Sequence, residues 1–272
     1  MQNKGIIGAV CGDIIGSAYE FHKTKDMNFK LFTPRSKFTD DTVMTCAVAE
    51  WLVDDPRHTH EQLVKIMHRY GDEFPHRGYG GMFGRWLEGH LTAPYNSFGN
   101  GSAMRVSPCG YYAKTLEEAL ELAQISAEVT HNHPEGIIGA QAVAATIFLL
   151  RNDEWIEKGK KFLKDFCFYD LDVIKKDWSD IRKFYTFDVT CQGSVPEAIY
   201  CAIKNISSPM GYENTIREAV SLGGDADTQG AIAGGIAAAV CEVPDDILNE
   251  CLDRLDPPLA DVIERFNEVY NQ

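Results

Sequence analysis

The sequence predicts a nearly all-α fold in one domain. Apolar residues recur at three- and four-residue spacing through most of the chain, turn-forming clusters separate those stretches, and no run of alternating residues competes as a strand. The 272 residues, 44% apolar and 24% charged, suffice for one sizeable core and exclude fibrous or wholly disordered chains.

In chain order, residues 4–16 form a short apolar stretch interrupted by Asp13, too short and too polar for an export signal. Helical periodicity follows in 43–53, 63–70, 116–129, 140–150, 198–206 and 262–270. Proline, glycine and asparagine clusters at 34–36, 75–81, 94–101, 132–136, 207–211, 223–227 and 256–258 mark the breaks. The weakly polar runs 136–150 and 231–243 fall short of the roughly 20 residues that span a bilayer, so they read as buried helices. Residues 151–190 turn charged and aromatic, which suits amphipathic outer helices or a partner surface.

A net charge of −14, from 26 basic and 40 acidic side chains, repels nucleic acid and anionic membranes, so no general binding to either is expected. Eight cysteines without a C-x-x-C pair, several inside apolar patterns, read as reduced thiols of a cytoplasmic protein.

Carboxylates gather in three places: Asp13 and Glu20 in CGDIIGSAYE, Asp40 and Asp41 in FTDDT, and Asp225 and Asp227 in LGGDADTQGAIAGG. Capping explains each cluster singly, because Thr39, Asp40, Asp225 and Asp227 suit a helix start, where side-chain oxygens accept free N–H groups and negative charge suits the dipole. It does not explain the Gly, Ala and Ile of 229–239, which let backbones approach closely and helix starts converge. Converging carboxylates flanked by hydroxyls repel one another and present hard oxygens, which select Mg²⁺, Mn²⁺ or Ca²⁺. Asp13 and Glu20, seven residues apart, would share a face of a continuous helix about 10 Å apart along its axis. Only one of them then enters a given inner metal shell, and Asp13 reads equally well as a buried structural carboxylate.

The segment 96–105, NSFGNGSAMR, reads as a loop feeding a helix, a form that can offer backbone N–H groups to phosphate oxygens. His131 and His133 lack a third ligand at zinc spacing, so a histidine donor aimed at an anion is expected there rather than a metal site. No H-E-x-x-H, G-x-S-x-G or EF-hand loop is present, which removes those hydrolases and a Ca²⁺ module.

Taken together, GAVCGDIIGSAYEF, FTDDT, SFGNGSAMRVSP, the TH of EVTHNHPEG and GGDADTQGAIAGG resemble, in order and spacing across about residues 5–242, the ADP-ribosylglycohydrolase family, which includes dinitrogenase reductase-activating glycohydrolase. The resemblance implies a compact all-α orthogonal helical bundle over residues 1–272, two Mg²⁺ or Mn²⁺ ions in a central cleft, and release of ADP-ribose from a modified protein; the chain is expected to act as a monomer. By the same resemblance, Thr39, Asp40 and Asp41 hold one ion. Asp225, Asp227 and Thr228, with Glu20, hold the other, and Asp227 bridges. Ser97, Phe98, Gly99, Asn100, Gly101 and His131 fall where the family binds the diphosphate and distal ribose, and Glu20, Asp40 or Asp41 serves as general base. The expected linkage is ADP-ribosyl-arginine. The alternatives are ADP-ribosyl-serine, O-acetyl-ADP-ribose, a non-catalytic ADP-ribose binder of the same fold, and another Mg²⁺-dependent hydrolase such as a phosphoesterase.

Overall fold

Helices carry the chain throughout the computed structural model, which describes residues 3–270. In order they are α1 (Ile7–Ser17), α2 (Asp40–Asp54), α3 (His60–Glu73), α4 (Gly81–Glu88), α5 (Gly101–Met104), α6 (Ser107–Tyr112), α7 (Leu116–Glu128) and α8 (Pro134–Arg151). A π-helical turn at Trp155–Gly159 leads to α9 (Lys160–Asp165), α10 (Leu171–Phe184), α11 (Cys191–Asn205), α12 (Gly211–Val220), α13 (Ala226–Ala237), α14 (Asp245–Leu252) and α15 (Pro257–Tyr270). Among the described residues the only extended pairing is an isolated bridge between Gly99 and Thr190. The all-α expectation is met.

Side-chain caps set several of the helix starts. Thr59 Oγ1 accepts from Gln62 N at 3.3 Å, Thr115 Oγ1 from Glu118 N at 3.1 Å, and Thr190 Oγ1 from Gly193 N at 3.1 Å. Thr190 starts α11 well before the periodic stretch at 198–206, because the cap rather than the apolar pattern decides where the first turn closes.

Helices α1 and α13 form the centre, and both are buried on nearly every face. Gly8, Gly12 and Gly16 stand four apart on one face of α1, opposite Gly234, Gly230 and Ala226 on α13. A Cβ at Gly12 would lie 2.0 Å from the Gly230 carbonyl oxygen, and one at Gly16 would lie 2.2 Å from that of Ala226. Backbones this close admit no side chain between them. Two hydroxyls bind the pair from outside: Tyr212 Oη donates to Gly8 O at 2.7 Å and Tyr111 Oη to Gly235 O at 2.6 Å.

One contiguous apolar core runs from Ile6 to Phe266, with a small satellite around Phe148 and Leu149. The run 136–150 lies within α8, as expected. The run 231–243 is helical only to Ala237, after which Gly5 N donates to Ala238 O and the chain turns away. No helix among the described residues is long and apolar enough to cross a membrane. All eight cysteines are free thiols, and all but the half-buried Cys241 are buried.

Candidate functional site

The starts of α2 and α13 and the end of α1 meet at one point, which the glycine-faced contact makes possible. Thr39 caps α2, its Oγ1 accepting from Asp41 N at 3.3 Å. A carboxylate from α1 holds this start in place. Asp13, fully buried, accepts from Thr39 N at 2.9 Å, Thr39 Oγ1 at 2.7 Å, Thr42 N at 3.1 Å and the Thr42 hydroxyl. The Asp40 amide donates to Arg77 O at 2.9 Å, and Gly78, at φ +103°, leaves room beside Asp40 Oδ1.

Asp225 precedes α13 but does not cap it. Its Oδ2 instead accepts from Asn100 Nδ2 at 2.7 Å, and the same amide nitrogen donates to Ser194 Oγ at 3.2 Å. Thr228 Oγ1 lies 3.4 Å from Asp41 Oδ2, which ties the α13 start to that of α2.

Two groups of carboxylates result, each with oxygens within 4.8 Å of one another: Asp13, Asp41 and Asp227, and Glu20, Asp225 and Asp227. Asp227 belongs to both. Of the residues expected to hold metal, the structure therefore gathers Glu20, Asp41, Asp225 and Asp227, with Thr39 and Thr228 against Asp41. The buried first group contains Asp13 where Asp40 was expected, while Asp40 lines the cleft above. Asp13 and Glu20 each reach the cluster but in different groups, and no group holds both; α1 ends at Ser17 and the chain bends before Glu20. The shared Asp227 lets each serve a different group.

Burial and mutual repulsion dominate the electrostatics. Burial, then the charge of Asp13, pushes the carboxyls of Asp40 and Asp41 well above the usual range. Burial, then Asp225, does the same to Asp227. Glu20 is raised to about 7 by burial and the Asp225 charge. Asp13 is raised to about 6 by burial, against the bonds from Thr39 and Thr42. Asp225 is also raised by burial, opposed first by its bond from Asn100. Asp41 Oδ1 is buried with no protein hydrogen-bond partner. An orphaned carboxylate oxygen among like charges is what a hard divalent cation would satisfy, so the donor set fits Mg²⁺ or Mn²⁺.

Above this floor opens a cleft of about 490 Å³, a size suited to a small-molecule ligand. Glu20, Asp40, Asp41, Asp225, Asp227 and Thr228 line it on one side, and Ser97, Gly99, Asn100, Gly101 and His131 on the other. The turn at 97–100 is pinned to the strand-like segment before α11, with Asn100 N donating to Val189 O at 2.8 Å and Cys191 N to Phe98 O at 2.9 Å. Phe98 does not line the cleft. Its ring is half exposed beside His133, centroids 5.3 Å apart, because pairing with 189–191 turns it outward. His133 caps α8, its Nδ1 accepting from Glu135 N at 3.1 Å. The outer segment reaches the cleft only at its end, through Phe187 and Val189.

Sequence reasoning left the role of Asp13 open and did not single out Arg105, Tyr95 or Ser194. Asp13 and Arg105 lie inside the quoted motifs, so the signal was present without a partner to interpret it. Tyr95 and Ser194 carry no local signal.

Fold and site together define a class: an all-α protein with a carboxylate cluster fit to hold metal beneath a ligand-sized cleft. Comparison with known proteins supplies the family. The ADP-ribosylglycohydrolase profile matches residues 4–272, and this chain belongs to that family of hydrolases. Its relatives include ADP-ribosylhydrolase ARH3 of Homo sapiens, 27% identical over 90% of this chain and 87% of that one. The ADP-ribosyl-[dinitrogen reductase] glycohydrolase of Rhodospirillum rubrum is 26% identical over 95% and 91%. A solved ADP-ribosylglycohydrolase-related protein complex superposes with a TM-score of 0.70 at 20% identity, covering 98% of this chain and 95% of that one, which shows the shared fold.

Proposed function

We propose that this enzyme hydrolyses the bond between the distal ribose of ADP-ribose and an arginine side chain of a modified protein, with two Mg²⁺ or Mn²⁺ ions at the cleft floor. The observation that carries this reading is the pair of carboxylate groups sharing Asp227 directly beneath the cleft. Asp41, Asp227 and Thr39, with Asp40 or Asp13, would hold one ion, and Glu20, Asp225, Asp227 and Thr228 the other. Bound there, the ions would neutralise the crowded carboxylates and supply Lewis-acid activation of water.

The remaining work falls to the chain itself. Asn100 fixes Asp225, so the wall that receives the ribose and the floor are oriented by one side chain. Gly99 and Gly101 keep the turn free of bulk beside His131, where the diphosphate would lie. Glu20, which lines the cleft and lies within 4.8 Å of Asp225 and Asp227, is placed to accept a proton at its carboxylate as general base; Asp40 and Asp41 are the other candidates. Cleavage passes through an oxocarbenium-like transition state, and negative charge of the floor carboxylates beneath the ribose would stabilise its developing positive charge. For the acceptor, five lining carboxylates in a chain of net charge −14 attract a cationic guanidinium.

The test is release of free ADP-ribose from arginine-linked and serine-linked peptides and from O-acetyl-ADP-ribose, each with Mg²⁺, Mn²⁺ or EDTA. Metal-dependent release from the arginine-linked peptide alone is expected. Release only from serine-linked or O-acetyl substrates would overturn the linkage, and ADP-ribose binding without any release would overturn the enzymatic reading. AMP as the product would make the enzyme a phosphoesterase.

A further inference from the structure

Arg105 is the only lysine or arginine among the residues lining the cleft, and it is 1% exposed. It faces no carboxylate there. Its Nη2 donates to Ser126 O at 2.8 Å and to Thr130 Oγ1 at 2.9 Å, and its guanidinium lies 5.9 Å from the centre of the Phe83 ring. Burial of a cation without a paired anion is costly, so its position requires a return.

That return is visible one residue further on. Thr130, fully buried, places its Oγ1 2.7 Å from His131 Nδ1. Arginine has no acceptor, so Thr130 Oγ1 must accept from Arg105. Tyr95, whose amide donates to Thr130 O at 3.3 Å, stands beside this residue on the cleft side. With Arg105 donating to the oxygen, the hydroxyl's own proton points to His131 Nδ1, the acceptor 2.7 Å away. His131 then carries its own proton on Nε2, the nitrogen that faces the turn, where a Cβ at Gly101 would lie 3.1 Å away.

We propose that Arg105 and Thr130 are positioning residues that lock His131 as the neutral Nε2–H tautomer, presenting a polarised donor to the diphosphate of the ligand. The relay delivers part of the arginine's influence to the cleft wall without placing a second cation there. Burial and the nearby Arg105 charge both hold His131 neutral, and this agrees with the bonding pattern. The role of the diphosphate rests on the function proposed above; the tautomer does not.

The experiment is ¹⁵N-edited NMR of the imidazoles at neutral pH, with the His131 signals assigned by their loss in His131→Asn, alongside titration of the protein with ADP-ribose. The expected wild-type spectrum shows a protonated Nε2 and an accepting Nδ1. Thr130→Val, nearly isosteric, should mix the tautomers and weaken ADP-ribose binding about tenfold, the loss of one charge-assisted bond, and Thr130→Ser should restore both. A wild-type Nδ1–H tautomer, or a valine variant with unchanged tautomer and affinity, would overturn the relay. The wild-type spectrum decides the tautomer even if the valine variant fails to fold. An Nε2–H tautomer in a wild-type protein with no ADP-ribose affinity would uphold the relay and overturn the proposed function.

Discussion

In the α1–α13 pair, glycines bring two backbones into contact and every face is covered. In the segment 151–190, by contrast, α10 buries little beyond Leu171 and Trp178, while Ile156, Phe168 and Phe184 stand 94%, 80% and 67% exposed. The inner pair positions the site through main-chain geometry that leaves no volume to spare. The outer segment is anchored by polar bonds: Trp178 Nε1 donates to Glu218 Oε1 at 2.9 Å, Arg182 Nη2 donates to Ser221 Oγ at 3.0 Å, and Lys25 Nζ donates to Arg182 O at 2.8 Å and Tyr185 O at 2.9 Å. The difference teaches that the small residues, which bury little side-chain area, control where the carboxylates meet, whereas the exposed aromatic residues outside, such as Phe168 and Phe184, do not touch that meeting point.

Substitutions should sharpen that contrast. Gly12→Ala is expected to have the largest effect, destabilising by roughly 3 kcal/mol or more, because the obstruction is a backbone carbonyl that cannot step aside. Urea unfolding measures this, and wild-type stability would break the comparison. Asp227→Ala should lower turnover at least about 100-fold and abolish cooperative metal binding. Its thermal stability in EDTA should nevertheless be no lower than wild type, since it removes one of several repelling charges; marked unfolding would mean that Asp227 is chiefly structural.

A smaller effect is expected from pH. Glu20 and Asp13 have folded values raised to about 7 and about 6 from ordinary values of 4.5 and 3.8. Raised values mean that their contribution is fully present below about pH 4 and is lost as pH climbs through 6 to 7. The gain in melting temperature on adding Mg²⁺ should therefore be larger at pH 8 than at pH 5, where protons compete for the same oxygens. An equal gain at both would argue against these carboxylates as the ligands. Phe184→Ser should change stability by no more than about 0.5 kcal/mol and leave turnover intact. A large loss of activity there would mean that α10, and not only the segment's end at Phe187 and Val189, serves the site.

Much of this architecture was legible in the sequence. Three- and four-residue apolar spacing marked six of the fifteen α-helices among the described residues, α2, α3, α7, α8, α11 and α15, and the Gly/Ala run after Asp227 announced a close backbone approach. Thr-Asp-Asp-Thr and Asp-x-Asp-Thr named most of the carboxylates that converge, because hydroxyl-flanked acids at helix starts are a local pattern. Partners distant in sequence were not legible. Asp13 reads as a ligand or as a structural carboxylate until Thr39 and Thr42 are seen donating to it. That Asp13 and Glu20 serve separate groups is fixed only by the end of α1 at Ser17 and the position of Asp227. Phe98 sits in the right motif, yet its backbone pairing with 189–191 turns the ring away from the cleft.

The sequence by itself determined the helical class, the acidic hard-oxygen chemistry and the family, since each depends on residue types at short spacing. Only the tertiary structure decided that Asp227 is shared between two carboxylate groups, that Asn100 serves Asp225 as well as the cleft wall, and that Arg105 reaches His131 through Thr130. These depend on where separate helix ends meet, and that is set by the packing of α1 against α13 rather than by any single stretch of chain.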